Sequence, residues 1–263
     1  SDVYKRQTYA KHLSEKRARD GYTFQEAYDK MYERNYFGMM MVETGDADAF
    51  ITGLYTKYSN TIKVAKEVVG IREGNSTFGT MHIINSPKGI LYLGDTLVNG
   101  DPTTDDLVAI AKLAAHTVDF FNETPNIAMI SYSNFGSDKA PGSQKVKDAV
   151  TRLHKEEPEL CVDGEMQIGC ALNRQLRDDL YPFSKLAGKD CNTLVFPNLT
   201  SARSAYKLLQ MLSNDVEIIG PVQMGLNKPI HFTDSESSVR DVVNITAIAS
   251  LDAYVEKIKG GRK

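Results

Sequence analysis

The chain has 263 residues, 41% of them hydrophobic, with 31 Lys and Arg against 34 Asp and Glu for a formal net charge of −3. That length buries a full core and suits two α/β lobes better than one large unit. The charge balance, with no block of like charges, disfavours a nucleic-acid surface, and no apolar run approaches the roughly 18–20 residues of a membrane span; a local basic pocket for a phosphorylated ligand remains open.

Ser1–Gln7 (SDVYKRQ), which lacks Met, reads as a non-native leader. Helices are expected over Tyr9–Arg19 and Phe24–Asn35, the second with Thr23 as N-cap and Glu26 as its capping-box partner. Met39, Met40 and Met41 in the short Tyr36–Glu43 stretch fit core filling better than a soft binding surface. A strand over Ala47–Gly53 and a helix over Thr61–Val69 come next. His82–Asn85 and Ile90–Leu93 flank Ser86-Pro87-Lys88-Gly89, a hairpin composition.

Thr104–Phe121 forms a long amphipathic helix capped by Thr103 or Thr104. Four strand-then-helix units follow, with strands Ile127–Ser131, Glu159–Asp163, Thr193–Phe196 and Val216–Ile219 and helices starting near Ser143, Ile168, Ala202 and Val239. Repeated β-then-α order predicts a mainly parallel sheet flanked by helices on both faces.

Ligands bind open α/β sheets beyond the carboxyl ends of the strands, where backbone N–H groups and helix dipoles favour anions. The segment IAMISYSNFGS (Ile127–Ser137) runs from a buried strand into a hydroxyl-rich turn, offering Ser131, Ser133, Asn134, Gly136 and Ser137. Asp163 and Glu165, Asn198, and Gly220 with Pro221 close the other strands and are expected to face the same crevice. Lys63, Lys145, Arg203, Lys207, Lys228 and Arg240, at helix starts or loop ends, supply cations from which a phosphate grip could be drawn. Asp241, beside Arg240, most simply contacts the dipole of the last helix.

Several chemistries find no support. There is no Gly-x-Ser-x-Gly elbow, no Walker loop and no Gly-x-Gly-x-x-Gly, and the five histidines have no metal spacing. His116 reads as a packing or surface residue, and His231 as a weak ligand contact. Cys161, Cys170 and Cys191 are odd in number and form no Cys-x-x-Cys, which suits reduced thiols in a cytoplasmic protein.

Six motifs in order carry a resemblance: NYFGMMMVETGDADAFITGL (Asn35–Leu54), YLGDTLVNGDPT (Tyr92–Thr103), SYSNFGS (Ser131–Ser137), VDGEMQ (Val162–Gln167), LVFPNL (Leu194–Leu199) and GPVQMGLNKPIHF (Gly220–Phe232). On these the chain resembles the phosphate acetyl/butyryltransferase family, most closely the transacetylase-like C-terminal domain of the large bacterial NADP-dependent malic enzymes. The resemblance implies two α/β lobes with acyl-CoA in the cleft between them. Residues 8–126 would be the remainder of a first lobe whose opening strand-helix units are missing, 127–225 the second lobe, and 226–263 a return to the first. NADP and a divalent metal would belong to upstream domains.

The resemblance also implies roles for residues. Asp241 would be the base on the CoA thiol in an active enzyme. Asp234-Ser235 stands where the family carries a Ser-Arg pair, so a carboxylate replaces the phosphate clamp. Lys63 replaces a second family arginine and keeps the charge without the bidentate fork; Arg203 stands in place of an asparagine. The ligand set expected on this basis adds Tyr206 to the residues above, with no metal. Three functions follow: an acetyl-CoA-binding regulatory and oligomerisation domain without turnover, an active phosphate acetyltransferase (acetyl-CoA and phosphate to acetyl phosphate and CoA), or an oligomerisation scaffold alone. A homo-oligomer is expected in each case.

Overall fold

The computed structural model describes residues 2–53, 57–213, 215–233 and 236–260. The chain divides into two compact units, Ser1–Glu73 with Leu226–Lys263, and Gly74–Gly225. The expected boundary after residue 126 does not coincide with this division. The hairpin that precedes residue 126 pairs into the same sheet as the strands that follow it, so hydrogen bonding carries it into the second unit.

In the first unit, α1 (Asp2–Lys16), α2 (Phe24–Lys30), α3 (Arg34–Glu43), α4 (Tyr58–Val68) and α10 (Val239–Gly260) accompany a two-stranded parallel sheet of β1 (Phe50–Thr52) and β8 (Ile230–Phe232). Helix α1 runs through the segment read as a leader, and Lys5 on it reaches Asp46 at 3.2 Å. At its other end Lys16 donates to the Val68 carbonyl at 2.7 Å and Arg17 Nε to that of Glu67 at 2.6 Å, so two cations cover the open carbonyls ending α4.

The Thr23–Glu26 capping box forms as the spacing predicts. The single helix expected over Phe24–Asn35 is broken instead. Tyr32 and Glu33 bond back three residues, to Asp29 and Lys30, and the chain turns between α2 and α3. The turn lets Met31 and then Tyr36, Met39 and Met40 enter the core, which confirms Met39 and Met40 as filling, while Met41 is only half-buried. Gly38 has a packing reason: a Cβ there would stand 2.2 Å from the Phe50 ring.

The second unit holds a six-stranded sheet in the order β5-β4-β6-β3-β2-β7. Its strands are β2 (Gly79–Ser86), β3 (Gly89–Gly94), β4 (Ile127–Ile130), β5 (Val162–Met166), β6 (Thr193–Val195) and β7 (Glu217–Met224). Strands β5, β4, β6 and β3 are mutually parallel; β2 runs against both β3 and β7. Helices α5 (Thr104–Phe120) and α6 (Pro141–Glu156) pack together along the sheet. A separate apolar cluster unites Ile84, Leu93, Ala128 and Ile130 with Cys170 and Ala171 of α7 (Ile168–Leu172) and with Ala202 and Tyr206 of α9 (Leu199–Leu212). The mixed, mainly parallel sheet flanked by helices is the architecture the β-then-α order predicts.

Two strands differ from expectation in ways that move site residues. Strand β5 starts three residues late, at Val162, because the register pairs Val162 with Ile127. Asp163, Gly164 and Glu165 are therefore inside the strand, and α8 (Arg174–Leu180) adds a helix the periodicity does not single out. Strand β7 continues through Gly220 and Pro221 to Met224 rather than ending before them. It is the edge strand, and the register of its partner shifts between Met81 and Ile83, the setting in which a sheet tolerates proline.

Candidate functional site

Because β5, β4, β6 and β3 are parallel, the loops that follow them leave the same edge of the second unit. The segment after β4 places Ser131 and Ser133 against Ser143 in the first turn of α6. The three hydroxyls form a closed triangle with Oγ separations of 3.3, 3.2 and 2.7 Å, and all three residues are buried. Helix α6 itself opens without a side-chain cap, with Pro141 in its first turn. The hydroxyl triangle thus sits at the positive end of a helix dipole. Ser143 marks only a helix start in the sequence; its hydroxyl joins the site through the fold.

The turn amides do not behave as an open anion nest. Phe135 N–H donates to the Glu165 carbonyl at 2.8 Å and Gly136 N–H to the Glu165 carboxylate. Asn134 N–H goes to Ser137 Oγ at 3.1 Å, and Ser137 N–H returns to the Asn134 carbonyl at 3.0 Å. The Asn134 side chain accepts from Gln167 N–H at 2.8 Å, tying the β4 loop to the end of β5. Asn134, Gly136, Ser137 and Glu165 therefore build the turn, with their polar groups turned on one another. Asp163 is likewise committed: its Oδ2 accepts from Ser184 Oγ at 2.7 Å and Lys185 N–H at 2.8 Å. Asn198 caps α9, its Oδ1 accepting from Ser201 N–H at 2.9 Å.

A second constellation forms around His82 of β2. Its ring stacks on Tyr206 of α9, centroids 4.2 Å apart and 18° from parallel, and Nδ1 shares a hydrogen bond of 2.8 Å with Thr96 Oγ1. Burial, reinforced by the positive charges of Lys207 and Arg203, lowers its pKa to about 3, so the imidazole is neutral. Gly220 lies against the same ring: a Cβ there would come within 2.9 Å of His82 Cδ2 and 2.8 Å of the Met81 carbonyl, and its φ of +142° suits only glycine. Pro221 is buried next to it in β7. Arg203, Tyr206 and Gly220 are thus brought together, and the residue that joins them, His82, carries no sequence signal beyond its type.

Below this cluster Asp95, also buried, accepts from Thr80 N–H at 2.9 Å, Leu97 N–H at 3.1 Å and Asn99 N–H at 2.8 Å. One carboxylate thereby shapes the loop that follows β3.

Lys63, Lys228 and Asp241 belong to the first unit. Lys63 ion-pairs with Glu67 at 3.7 Å, one helical turn away. Burial works against the charge on Glu67, yet hydrogen bonds from Tyr22 and Tyr36 and the charges of Lys30 and Lys63 hold its carboxyl below the ordinary range. Lys228 precedes β8, and its carbonyl accepts from Ile230 N–H at 2.8 Å. Asp241 forms a capping box with Ser238: its Oδ2 accepts from Ser238 N–H at 2.7 Å, and its own N–H donates to Ser238 Oγ at 3.2 Å. Asp234 and Ser235 lie outside the described residues. His231 is almost wholly buried on β8 with Nε2 at 3.2 Å from Asp252, which makes it a core residue and corrects its reading as a ligand contact. His116 is exposed on α5, as expected of a surface position.

Among the described residues no group of His, Cys, Asp or Glu could hold a metal ion, and no helix is long and apolar enough to cross a membrane.

The mainly parallel sheet with its hydroxyl-lined strand ends, and a first unit built from both ends of the chain, define a phosphotransacylase-type α/β protein. The sequence pattern of the phosphate acetyl/butaryl transferase family matches residues 1–250, and the chain belongs to that family. It is 39% identical over 221 residues to the NADP-dependent malic enzyme of Escherichia coli (strain K12), covering 84% of this chain and 29% of that protein. To the phosphate acetyltransferase of Bacillus subtilis (strain 168) it is 32% identical, covering 88% and 71%. A phosphotransacetylase structure from Streptococcus pyogenes superposes with a TM-score of 0.86 at 30% identity, covering 97% of this chain and 76% of that one. The chain spans between 28% and 35% of the length of the first three curated relatives it matches.

Proposed function

We propose that the chain is the acetyl-CoA-binding regulatory and assembly region of an NADP-dependent malic enzyme, holding the thioester without transferring its acetyl group. Similarity to the Escherichia coli and Salmonella typhimurium malic enzymes, at 39% and 40% identity, supports the parent. In that parent, malate is converted to pyruvate and CO2, and the NADP and divalent metal this requires would be held by segments outside this chain.

The observation that carries the reading is the capping box at Asp241. Transfer of acetyl to phosphate needs a base to take the proton of the CoA thiol and a cation to hold phosphate. The Asp241 carboxylate already accepts the Ser238 N–H at 2.7 Å, in the first turn of α10, where its charge serves the helix. Where the family carries its Ser-Arg pair this sequence has Asp234-Ser235, so an anion meets a carboxylate instead of a guanidinium. Binding needs neither device. The Ser131–Ser133–Ser143 hydroxyls at the start of α6 suit a carbonyl or phosphoryl oxygen, and Arg203 and Lys207 suit an anionic ligand.

A regulatory ligand acts by binding two states of the assembly unequally. Exposed Leu208, Met211 and Leu212 at the end of α9, between 61% and 77% accessible, support self-association. Sedimentation of the chain with and without acetyl-CoA tests that part.

Calorimetric titration with acetyl-CoA, followed by a thiol assay of the same sample with phosphate added, tests the rest. Heat without CoA release supports the proposal. Phosphate-dependent CoA release overturns it in favour of an active phosphate acetyltransferase, a reading favoured by the retained Asp241 and by the 71% of the Bacillus subtilis enzyme that the chain covers. Oligomers without heat would leave a scaffold.

A further inference from the structure

Within the second unit, α6, β5 and the chain after α8 wall a hollow of about 440 Å³. Neither the Ser131–Ser133–Ser143 hydroxyls nor the His82 cluster belongs to that wall. Most polar groups that do belong to it already have partners. His154 Nε2 is 2.7 Å from the Val162 carbonyl, Lys185 Nζ donates to the Pro158 carbonyl at 2.9 Å, and Asp163 Oδ1 accepts from Gly164 N–H at 3.0 Å. Glu165 is the exception. It is 1% exposed and its Oε1 takes the Gly136 N–H, yet Oε2 has no hydrogen-bond partner among the described residues. A buried carboxylate oxygen without a donor is costly, and folded proteins seldom leave one unless a ligand or ion completes it. The missing partner is a hydrogen-bond donor, and a cationic donor also matches the charge.

Two further features of the wall define what carries that donor. Lys147, exposed on α6, has an ammonium that no hydrogen bond or ion pair engages among the described residues. Its Nζ lies 3.5 Å from where a Cβ on Gly136 would stand, so the unmatched cation and the unmatched carboxylate flank the same glycine without pairing with each other. The apolar part of the wall is aromatic: the rings of Phe135 and Phe183 meet edge to face with centroids 5.1 Å apart. Phe135 holds its place at φ +43°, a left-handed conformation that is an outlier for so bulky a residue and that concentrates at ligand-binding positions.

We propose that this hollow binds an α-amino acid with an apolar side chain. The ligand's ammonium donates to Glu165 Oε2, its carboxylate accepts from Lys147 Nζ, and its side chain packs against Phe135 and Phe183. The volume is that of an ordinary small-molecule site. An amine alone would leave the lysine unmatched, and a carboxylic acid alone would meet Glu165 with like charge; the zwitterion satisfies both groups at once.

Calorimetric titration of the full chain with L-phenylalanine tests this, beside phenethylamine, which lacks the carboxylate, and hydrocinnamate, which lacks the ammonium. L-Phenylalanine is expected to bind, phenethylamine to bind more weakly, and hydrocinnamate not to bind. Glu165→Gln keeps an oxygen for the Gly136 N–H but puts an amide donor in place of Oε2, and should weaken L-phenylalanine binding about a hundredfold. Lys147→Met, a surface change on α6, should weaken L-phenylalanine about threefold and leave phenethylamine affinity unchanged. Absence of heat from L-phenylalanine, hydrocinnamate binding as tightly as L-phenylalanine, or native L-phenylalanine affinity in either variant would overturn the proposal.

Discussion

At the scale of single residues, the polar groups named from the sequence divide into those that stay available and those the fold consumes. Ser131 and Ser133 share their hydroxyl hydrogen bonds with Ser143 at the start of α6 and spend none on the backbone, whereas Asp163, Asn134 and Asn198 accept from backbone N–H groups and Glu165 commits one carboxylate oxygen to the Gly136 N–H. A sequence lists donors and acceptors without saying which have been paired. Arg177 is the sharpest case: it is fully buried, and its guanidinium donates to the Ala171 carbonyl at 2.7 Å and that of Leu186 at 3.0 Å. Arg177→Met leaves those carbonyls unpaired and is expected to lower unfolding stability by about 3 kcal/mol, read from the urea midpoint. His82 makes a pH prediction. Its folded pKa is depressed from 6.5 to about 3, so the unfolded chain binds the extra proton between those values. Its contribution is complete above 6.5 and falls as pH drops toward 3, by up to about 1.4 kcal/mol per pH unit. Urea titrations across that range should give a shallower pH slope for His82→Phe than for the native chain; parallel slopes would show that His82 does not titrate there.

At the scale of elements, termini and close approaches decide what can vary. The α2 cap is readable because both partners, Thr23 and Glu26, sit at fixed sequence spacing. The Ser238–Asp241 box has the same spacing, yet resemblance draws attention to Asp241 as a base instead. Asp241→Ala should cost about 1 kcal/mol of stability as a lost cap. Acetyl-CoA affinity is expected to stay at its native value; a tenfold loss in calorimetry would make the carboxylate a ligand contact. Gly38 is a packing constraint hidden from sequence, since only the fold brings the Phe50 ring over α3. Gly38→Ala is expected to destabilise by about 1–3 kcal/mol, and Phe50→Leu in the same chain should recover part of that loss.

At the scale of the whole molecule, the two units differ in how the chain builds them. Gly74–Gly225 is one continuous stretch that contains every strand of the six-stranded sheet; the other unit needs both chain ends, Ser1–Glu73 and Leu226–Lys263. A fragment spanning Gly74–Gly225 should therefore keep a cooperative thermal transition by circular dichroism, and a featureless melt would show that its core depends on the rest of the chain.

The sequence by itself determined the β-then-α order, the family and the start of α2, whose cap partners Thr23 and Glu26 lie three residues apart, because each is written in local spacing or in long ordered motifs. Only the tertiary structure decided that the boundary falls at Glu73 rather than after residue 126, that Gly220 and Pro221 sit inside an edge strand, and that Ser143 and His82 join the site. Strand pairing and side-chain stacking depend on residues far apart in the chain, and no local pattern records which distant partner will satisfy a given polar group.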